Sequence, residues 1–184
     1  MPVSEETYER VALEDPDGKW ELRCGRLRNK PDMTTQHNDM ADVLAFRLQQ
    51  QLPLDQFRVG SNSARVRISE SHNVIPDVVV IPRSLVDARK REFRTWLETY
   101  RDALPLIVEV WSPSTGAEDL TEKLPGYQAR GDAEIWYLHP IERTLRSSVR
   151  RPDGGYDEQV HRGGVVQPVA LPNVHVDLDE LFRL

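Results

Sequence analysis

Thiol chemistry is almost absent from this chain: Cys24 is the one cysteine among 184 residues. A disulfide framework and a cysteine-based zinc site are therefore excluded within one chain. Long apolar runs are missing as well. None approaches the ~20 residues that a bilayer crossing requires, so no membrane span is expected. The N-terminal stretch MPVSEETYER is acidic and lacks the apolar segment of a secretory signal. These absences predict a cytoplasmic protein. Internal repeats and low-complexity linkers are also missing, so residues 1–184 are expected to form a single domain.

Net positive charge is the next absence. The chain carries −6, whereas a dedicated nucleic-acid binder usually shows a basic domain. Basic residues cluster locally at Arg26, Arg28 and Lys30, at Arg89, Lys90, Arg91 and Arg94, and at Arg143, Arg146, Arg150 and Arg151. Such clusters are more often solvated faces than phosphate tracks. If DNA is a partner, binding is expected to be weak and salt-sensitive. The 39% hydrophobic and 29% charged content fits a folded globular chain and argues against disorder.

The pattern of residues predicts the elements. A short helix over Ser4–Leu13 precedes the turn Asp15-Pro16-Asp17-Gly18, and Lys19–Asn29 reads as two short strands around Gly25. Thr34–Leu52 is the clearest helix: Thr34 or Thr35 can cap it, and Met40, Val43, Leu44, Leu48 and Leu52 recur at helical spacing. Pro53 ends it. Strands follow at Arg58–Val59 and Ala64–Ile68. Val74–Ile81 is an apolar run interrupted by Pro76 and Asp77, Ser84–Tyr100 is a charged amphipathic helix, and Leu104–Trp111 is a second apolar run. Ala117–Arg130 reads as a helix closed by Gly131, with Pro125 tolerated if the regular helix begins near Thr121. Ala133–Leu138 is a strand. Hairpins then run to Val176, turning at Pro152-Asp153-Gly154-Gly155, and a short helix covers Leu178–Phe182. Two apolar strands flanked by helices predict an α/β fold with a mixed sheet covered on both faces.

Within that frame two carboxylates stand out. Glu109 lies inside the run Leu106–Trp111, and an isolated buried carboxylate is costly unless it protonates, pairs or binds a metal. Asp77 opens the run Val78–Ile81 and raises the same question. Neighbouring strands can bring the two together, where they repel unless a cation sits between them. Mg²⁺ suits oxygen donors of this kind. Equally, Asp77 can cap a strand end and Glu109 can pair with an arginine. Downstream, Ser112-Pro113-Ser114-Thr115 is a hydroxyl-rich turn, and Lys123, Tyr127 and Arg130 share one helical face. A lysine beside a metal can orient water and stabilise charge on a phosphate. Without the carboxylates, Lys123 is an exposed helical lysine.

The segments IPDVVVIP, LIVEVWSPST and DLTEKLPGYQARGDAEIWYLHP together resemble the Uma family of restriction-endonuclease-like proteins, itself similar to the PD-(D/E)XK nuclease superfamily. The resemblance spans Trp20 to Pro140 and includes WELRCGRL and the helical His37. It implies a restriction-endonuclease-like core in the order helix, three strands, helix, strand, here with a β-rich C-terminal extension. It implies that Asp77 and Glu109 bind Mg²⁺ or Mn²⁺ and that Lys123 is the motif lysine, moved from the strand to the following helix. It also implies that Glu21 can reach the metal as a further catalytic residue, although a glutamate in a short hairpin usually faces solvent. His37 ranks below Glu21, as a capping or packing residue. Asp119 orients Lys123 or the helix start, and Tyr127 is a core residue. The sequence departs from the family pattern at Gly131–Trp136, where Gly-Val-x-Glu-Tyr-Trp is usual, and at His139, where aspartate usually precedes the proline. Asp87–Asp102 reads as an insertion.

The function expected from these residues is Mg²⁺-dependent endonuclease hydrolysis of phosphodiester bonds in DNA. A homodimer is expected, because duplex cleavage needs one site per strand and two-fold assemblies are commonest. The alternative is a non-catalytic nuclease-fold domain used for nucleic-acid binding or protein assembly. The acidic net charge favours the alternative, and the set Asp77, Glu109 and Lys123 favours the enzyme.

Overall fold

Alternation within the two apolar runs decides the architecture. In the computed structural model, which describes residues 2–92, 97–114, 116 and 119–183, both runs become central strands of one sheet. In chain order the first elements are α1 (Glu5–Glu14), the hairpin β1 (Trp20–Arg23) and β2 (Arg26–Asn29), and α2 (Thr35–Gln51). Strands β3 (Phe57–Ser61), β4 (Arg65–Ser69), β5 (His72–Val74) and β6 (Val78–Pro82) lead into α3 (Arg83–Glu92), β7 (Thr99–Tyr100) and β8 (Leu106–Val110). A π-helical turn (Asp119–Lys123) continues directly into α4 (Leu124–Arg130). Strands β9 (Glu134–His139), β10 (Thr144–Arg150), β11 (Tyr156–His161), β12 (Val165–Val166) and β13 (Val176–Asp177) and a last turn of helix, α5 (Leu178–Leu181), complete the chain.

The main sheet has six strands in the order β11-β10-β9-β8-β6-β3. Only β8 and β9 run parallel, because the π-turn and α4 cross over between them; every other pairing is antiparallel. On one face Val78, Val80, Leu106, Val108 and Val110 pack with Met40, Ala41, Leu44, Ala45 and Leu48 of α2. On the other, Val79, Ile81, Ile107 and Ile135 meet Val66 and Val74 of a second sheet, together with Val86 of α3 and Tyr127 of α4. Alternate residues of β6 and β8 thus serve two cores, which is why both strands, Glu109 apart, read as apolar runs. The second sheet, ordered β2-β1-β5-β4-β7, was not expected as a layer of its own.

The sequence reading needs three adjustments. Ser84–Tyr100 is not one helix: among the described residues α3 covers Arg83–Glu92, and Thr99–Tyr100 joins the second sheet parallel to β4. Residues 93–96 of that expectation lie outside the described residues, as does residue 115 of the hydroxyl-rich turn. The run Val74–Ile81 breaks at Ile75-Pro76-Asp77, so its two ends belong to different sheets. The expected helix Ala117–Arg130 begins outside the described residues at 117–118, and its regular part starts only at Leu124. Pro125 therefore sits in the first turn, where its missing N–H costs no helical bond. Among the described residues, no helix is long and apolar enough to cross a membrane.

Helix α4 closes at Gly131, whose φ of 81° lets its own N–H reach Gln128 O at 3.0 Å and the Asp132 N–H reach Tyr127 O at 3.2 Å. A Cβ there would meet nothing closer than Arg150 Nε at 3.4 Å, so a substitution is penalised by conformation rather than by collision. Gly131→Ala is expected to cost about 1–2 kcal/mol, and Gly131→Asn less, because asparagine tolerates the left-handed region. Urea denaturation of the three proteins checks that order.

Candidate active site

The antiparallel register pairs Val78 with Val108. One residue beyond that pair, Asp77 comes opposite Glu109. Asp77 lies in the link where the chain passes from the second sheet to the main one. Its Oδ2 accepts the Val110 N–H at 2.7 Å, which ties it to the residue next to Glu109.

Asp77 is buried and held by two further groups. Lys30, at the end of β2, donates from Nζ to Oδ1 at 2.7 Å. His37, in the first turn of α2, brings Nε2 to within 3.1 Å of Oδ2. The Lys30 ammonium also donates to Asn62 Oδ1 at 2.6 Å and Ile75 O at 2.8 Å. Its three protons thus meet three oxygens, which explains how a lysine can be buried here. Burial pushes the Asp77 carboxyl up, but Lys30, His37 and Lys123 outweigh it and hold the group well below the usual carboxylate range. Asp77 is therefore ionised at neutral pH. His37 is pulled down by burial, yet its hydrogen bond to Asp77 and the charge of that carboxylate leave it above the ordinary histidine value.

Glu109 is buried on β8. Lys123 closes the π-turn and donates from Nζ to Glu109 Oε2 at 3.1 Å. Tyr127, four residues on, donates its hydroxyl to Oε1 at 2.6 Å. The i, i+4 spacing seen in the sequence therefore aims both groups at one carboxylate. Lys123 also contributes to holding Asp77 ionised.

Glu21 acts one step further back. It is buried in β1, where Oε2 accepts from Arg23 Nε at 2.8 Å and Oε1 accepts the Ile75 N–H at 2.7 Å. It thus fixes the link Ile75-Pro76-Asp77. The solvent-facing alternative for Glu21 does not hold, because its side chain is fully buried and bonded to Arg23 and the Ile75 N–H.

The structure thus brings Asp77, Glu109 and Lys123 into one neighbourhood and places Glu21 behind Asp77. The side chain of Asp119 lies outside the described residues. Two groups were undervalued in the sequence. His37 contacts Asp77 directly, whereas Glu21 does not reach it by any described bond. Lys30, read as part of a solvated basic cluster, is buried against Asp77. No local signal marks Lys30, because its partner is 47 positions away in sequence.

The family model Uma2, described as "Putative restriction endonuclease", matches residues 5–179. The chain belongs to the Uma2 family. The crystal structure of a "putative nuclease belonging to DUF820" from Anabaena variabilis is similar in fold, with a TM-score of 0.71 at 18% identity over 89% of each chain. A comparison with curated proteins gives no match. The Uma2 chain accordingly has the restriction-endonuclease-like α/β fold expected from its sequence, with α2, then β3, β6 and β8, then α4 and β9 as the core order.

The buried pair Lys30–Asp77 gives a stability test. Lys30→Met strands an ionised carboxylate away from water and is expected to cost about 3–5 kcal/mol. Lys30→Met combined with Asp77→Asn removes both charges and should recover part of that loss: the asparagine Oδ1 can still accept from Val110, but Ile75 O and Asn62 Oδ1 lose their Lys30 donor. Chemical denaturation of the two variants and the wild type checks this, and equal losses in both variants exclude the pair as the cause.

Proposed function

We propose that this Uma2 protein is a Mg²⁺-dependent endonuclease that hydrolyses phosphodiester bonds in DNA, with Asp77, Glu109 and Lys123 as its centre. The observation that carries the reading is the Lys123–Glu109 contact close to Asp77: two buried carboxylates, one on β8 and one at the entry to its neighbour β6, with a lysine that contacts the first and whose charge reaches the second. The family description and the nuclease fold support the same reaction class.

The donor chemistry fits a hard divalent cation, Mg²⁺ or Mn²⁺, held by the carboxylate oxygens of Asp77 and Glu109. When bound, such an ion polarises a phosphate and lowers the pKa of a water. The chain's own residues do the rest. Lys123 supplies positive charge where it develops on phosphate oxygen. Tyr127 and His37 orient the two carboxylates by hydrogen bonds, and Glu21 holds the link that carries Asp77. A cleft of about 340 Å³ is lined in part by Trp111, Tyr137, His139, Arg146 and Arg162, and by Leu120 of the π-turn that ends at Lys123. Trp111 and His139 stack there at a centroid distance of 4.3 Å. Aromatic faces beside guanidinium groups suit a nucleic-acid strand.

One observation favours the second reading, a non-catalytic nuclease-fold domain that binds nucleic acid or assembles with protein. Lys30 and Lys123 already balance the charges of Asp77 and Glu109, so the centre is not left with the carboxylate repulsion that called for a metal. Single-turnover cleavage of labelled single-stranded DNA, duplex DNA and RNA, with Mg²⁺, Mn²⁺ or a chelator, separates the two. The nuclease reading requires metal-dependent cleavage of at least one DNA substrate.

Lys123→Ala is expected to leave metal affinity nearly unchanged, since an ammonium is not a metal ligand, and to slow cleavage about 10²–10³-fold. Lys123→Arg should restore little, because a guanidinium is wider and places its charge differently. Cleavage by Lys123→Ala at the wild-type rate removes Lys123 from the mechanism.

We further propose a homodimer, which gives one centre per DNA strand. Strand β11 is an edge of the main sheet and offers unpaired backbone for such a contact. Light scattering at micromolar concentration is expected to give twice the chain mass; a monomer excludes the dimer.

A further inference from the structure

The two-residue turn between β1 and β2 contains Cys24, at φ 47°, followed by Gly25, at φ 69°. Next to it stands His72, the first residue of β5, and opposite lies Glu122 of the π-turn. One ligand atom from each of Cys24, His72 and Glu122 lies within 4.8 Å of the other two. These residues take no part in the centre described above.

We propose that Cys24, His72 and Glu122 form a second cation site, for a thiophilic divalent ion of the Zn²⁺ class, next to the turn that carries Lys123. The donor types are the first argument. Thiolate, imidazole and carboxylate are the ligands Zn²⁺ takes, whereas Mg²⁺ has little use for sulfur or imidazole. A single cysteine excludes a cysteine-rich zinc site but not a mixed one.

The spacing is the second argument. Cys24 Sγ and His72 Nε2 are 3.2 Å apart. Tetrahedral Zn²⁺, with bonds of ~2.3 Å to sulfur and ~2.0 Å to nitrogen, separates such a pair by about 3.5 Å. A shift of a few tenths of an ångström therefore fits this pair to the ion, and the Glu122 carboxylate, within 4.8 Å of both, closes in to complete the site. Three protein ligands leave one position for water or a further ligand.

The third argument is the state of the imidazole. The Cys24 N–H donates to His72 Nε2 at 3.2 Å, so that nitrogen carries the lone pair. The proton is then on Nδ1, which faces the hydroxyls of Ser69 and Ser71, each at 3.2 Å. Support of the remote nitrogen by an oxygen partner is the usual arrangement around a metal-bound histidine. The ring is held in the tautomer that a metal needs, and an ion at Nε2 takes the place of the Cys24 N–H.

The position also gives the site a consequence. Glu122 immediately precedes Lys123, whose Nζ contacts Glu109. An ion that holds Glu122 to the hairpin and β5 fixes the π-turn, and with it the lysine.

The experiment is a titration of the full chain with Co²⁺ followed by displacement with Zn²⁺, read by absorption and by calorimetry. One equivalent of Co²⁺ is expected to produce a thiolate-to-metal charge-transfer band, which Asp77 and Glu109 cannot produce. Failure of the nuclease reading therefore leaves this result untouched. Cys24→Asn keeps a residue suited to the left-handed turn and should abolish the band. His72→Ala and Glu122→Gln should each weaken Zn²⁺ by at least the roughly 10–100-fold that loss of a supporting partner alone brings. Bound Zn²⁺ should also protect Cys24 from iodoacetamide. Three results overturn the site: no charge-transfer band in the wild type, equal Zn²⁺ affinity in wild type and Cys24→Asn, or alkylation of Cys24 at one rate with and without Zn²⁺. The last describes a reactive thiol–imidazole pair instead.

Discussion

A buried carboxylate must be compensated, and the way Asp77 is compensated ties the molecule together. Its two oxygens draw in Lys30 from the first hairpin, His37 from the start of α2 and the Val110 N–H from β8. Three elements that are distant in sequence thus converge on one residue at the junction of the two sheets. Glu21 reinforces the junction from behind by holding the Ile75 N–H, and Lys30 does so through Ile75 O. Because every oxygen in this network is far from water, loss of one donor leaves a charge or dipole with no substitute partner. The fold and the centre therefore share their key contacts.

Charge balance gives the centre its character. Asp77 with Lys30, and Glu109 with Lys123, form two buried pairs of opposite sign. Each pair offsets part of the desolvation of both partners. The two lysines differ in their setting. Lys30 is saturated by three oxygens from three parts of the chain, as a structural cation would be. Lys123 stands on a π-helical turn beside the cleft, with Leu120 of the same turn on the cleft wall. π-helical turns recur at functional sites. In the proposed nuclease, Lys30 holds the centre and Lys123 is the lysine that acts on the phosphate.

The sequence by itself determined most of the elements and singled out two buried acidic residues. The helical spacing from Met40 to Leu48 fixed α2, because one apolar stripe at period 3.6 has no other use. The runs around Val79 and Ile107 marked the two central strands, since only strands buried on both faces omit polar alternation. Glu109 and Asp77 were visible because a carboxylate within such a run demands an explanation, and Lys123 with Tyr127 because i, i+4 spacing is local. Tertiary structure alone decided which groups answer the carboxylates. Lys30 and His37 reach Asp77 across 47 and 40 positions, and no periodicity encodes such a separation. It also decided that Ile75-Pro76-Asp77 is a passage between two sheets rather than a kink in one strand. The same holds for Cys24, His72 and Glu122: side-chain spacing along one element follows from backbone geometry, whereas proximity between elements exists only after the sheets have packed.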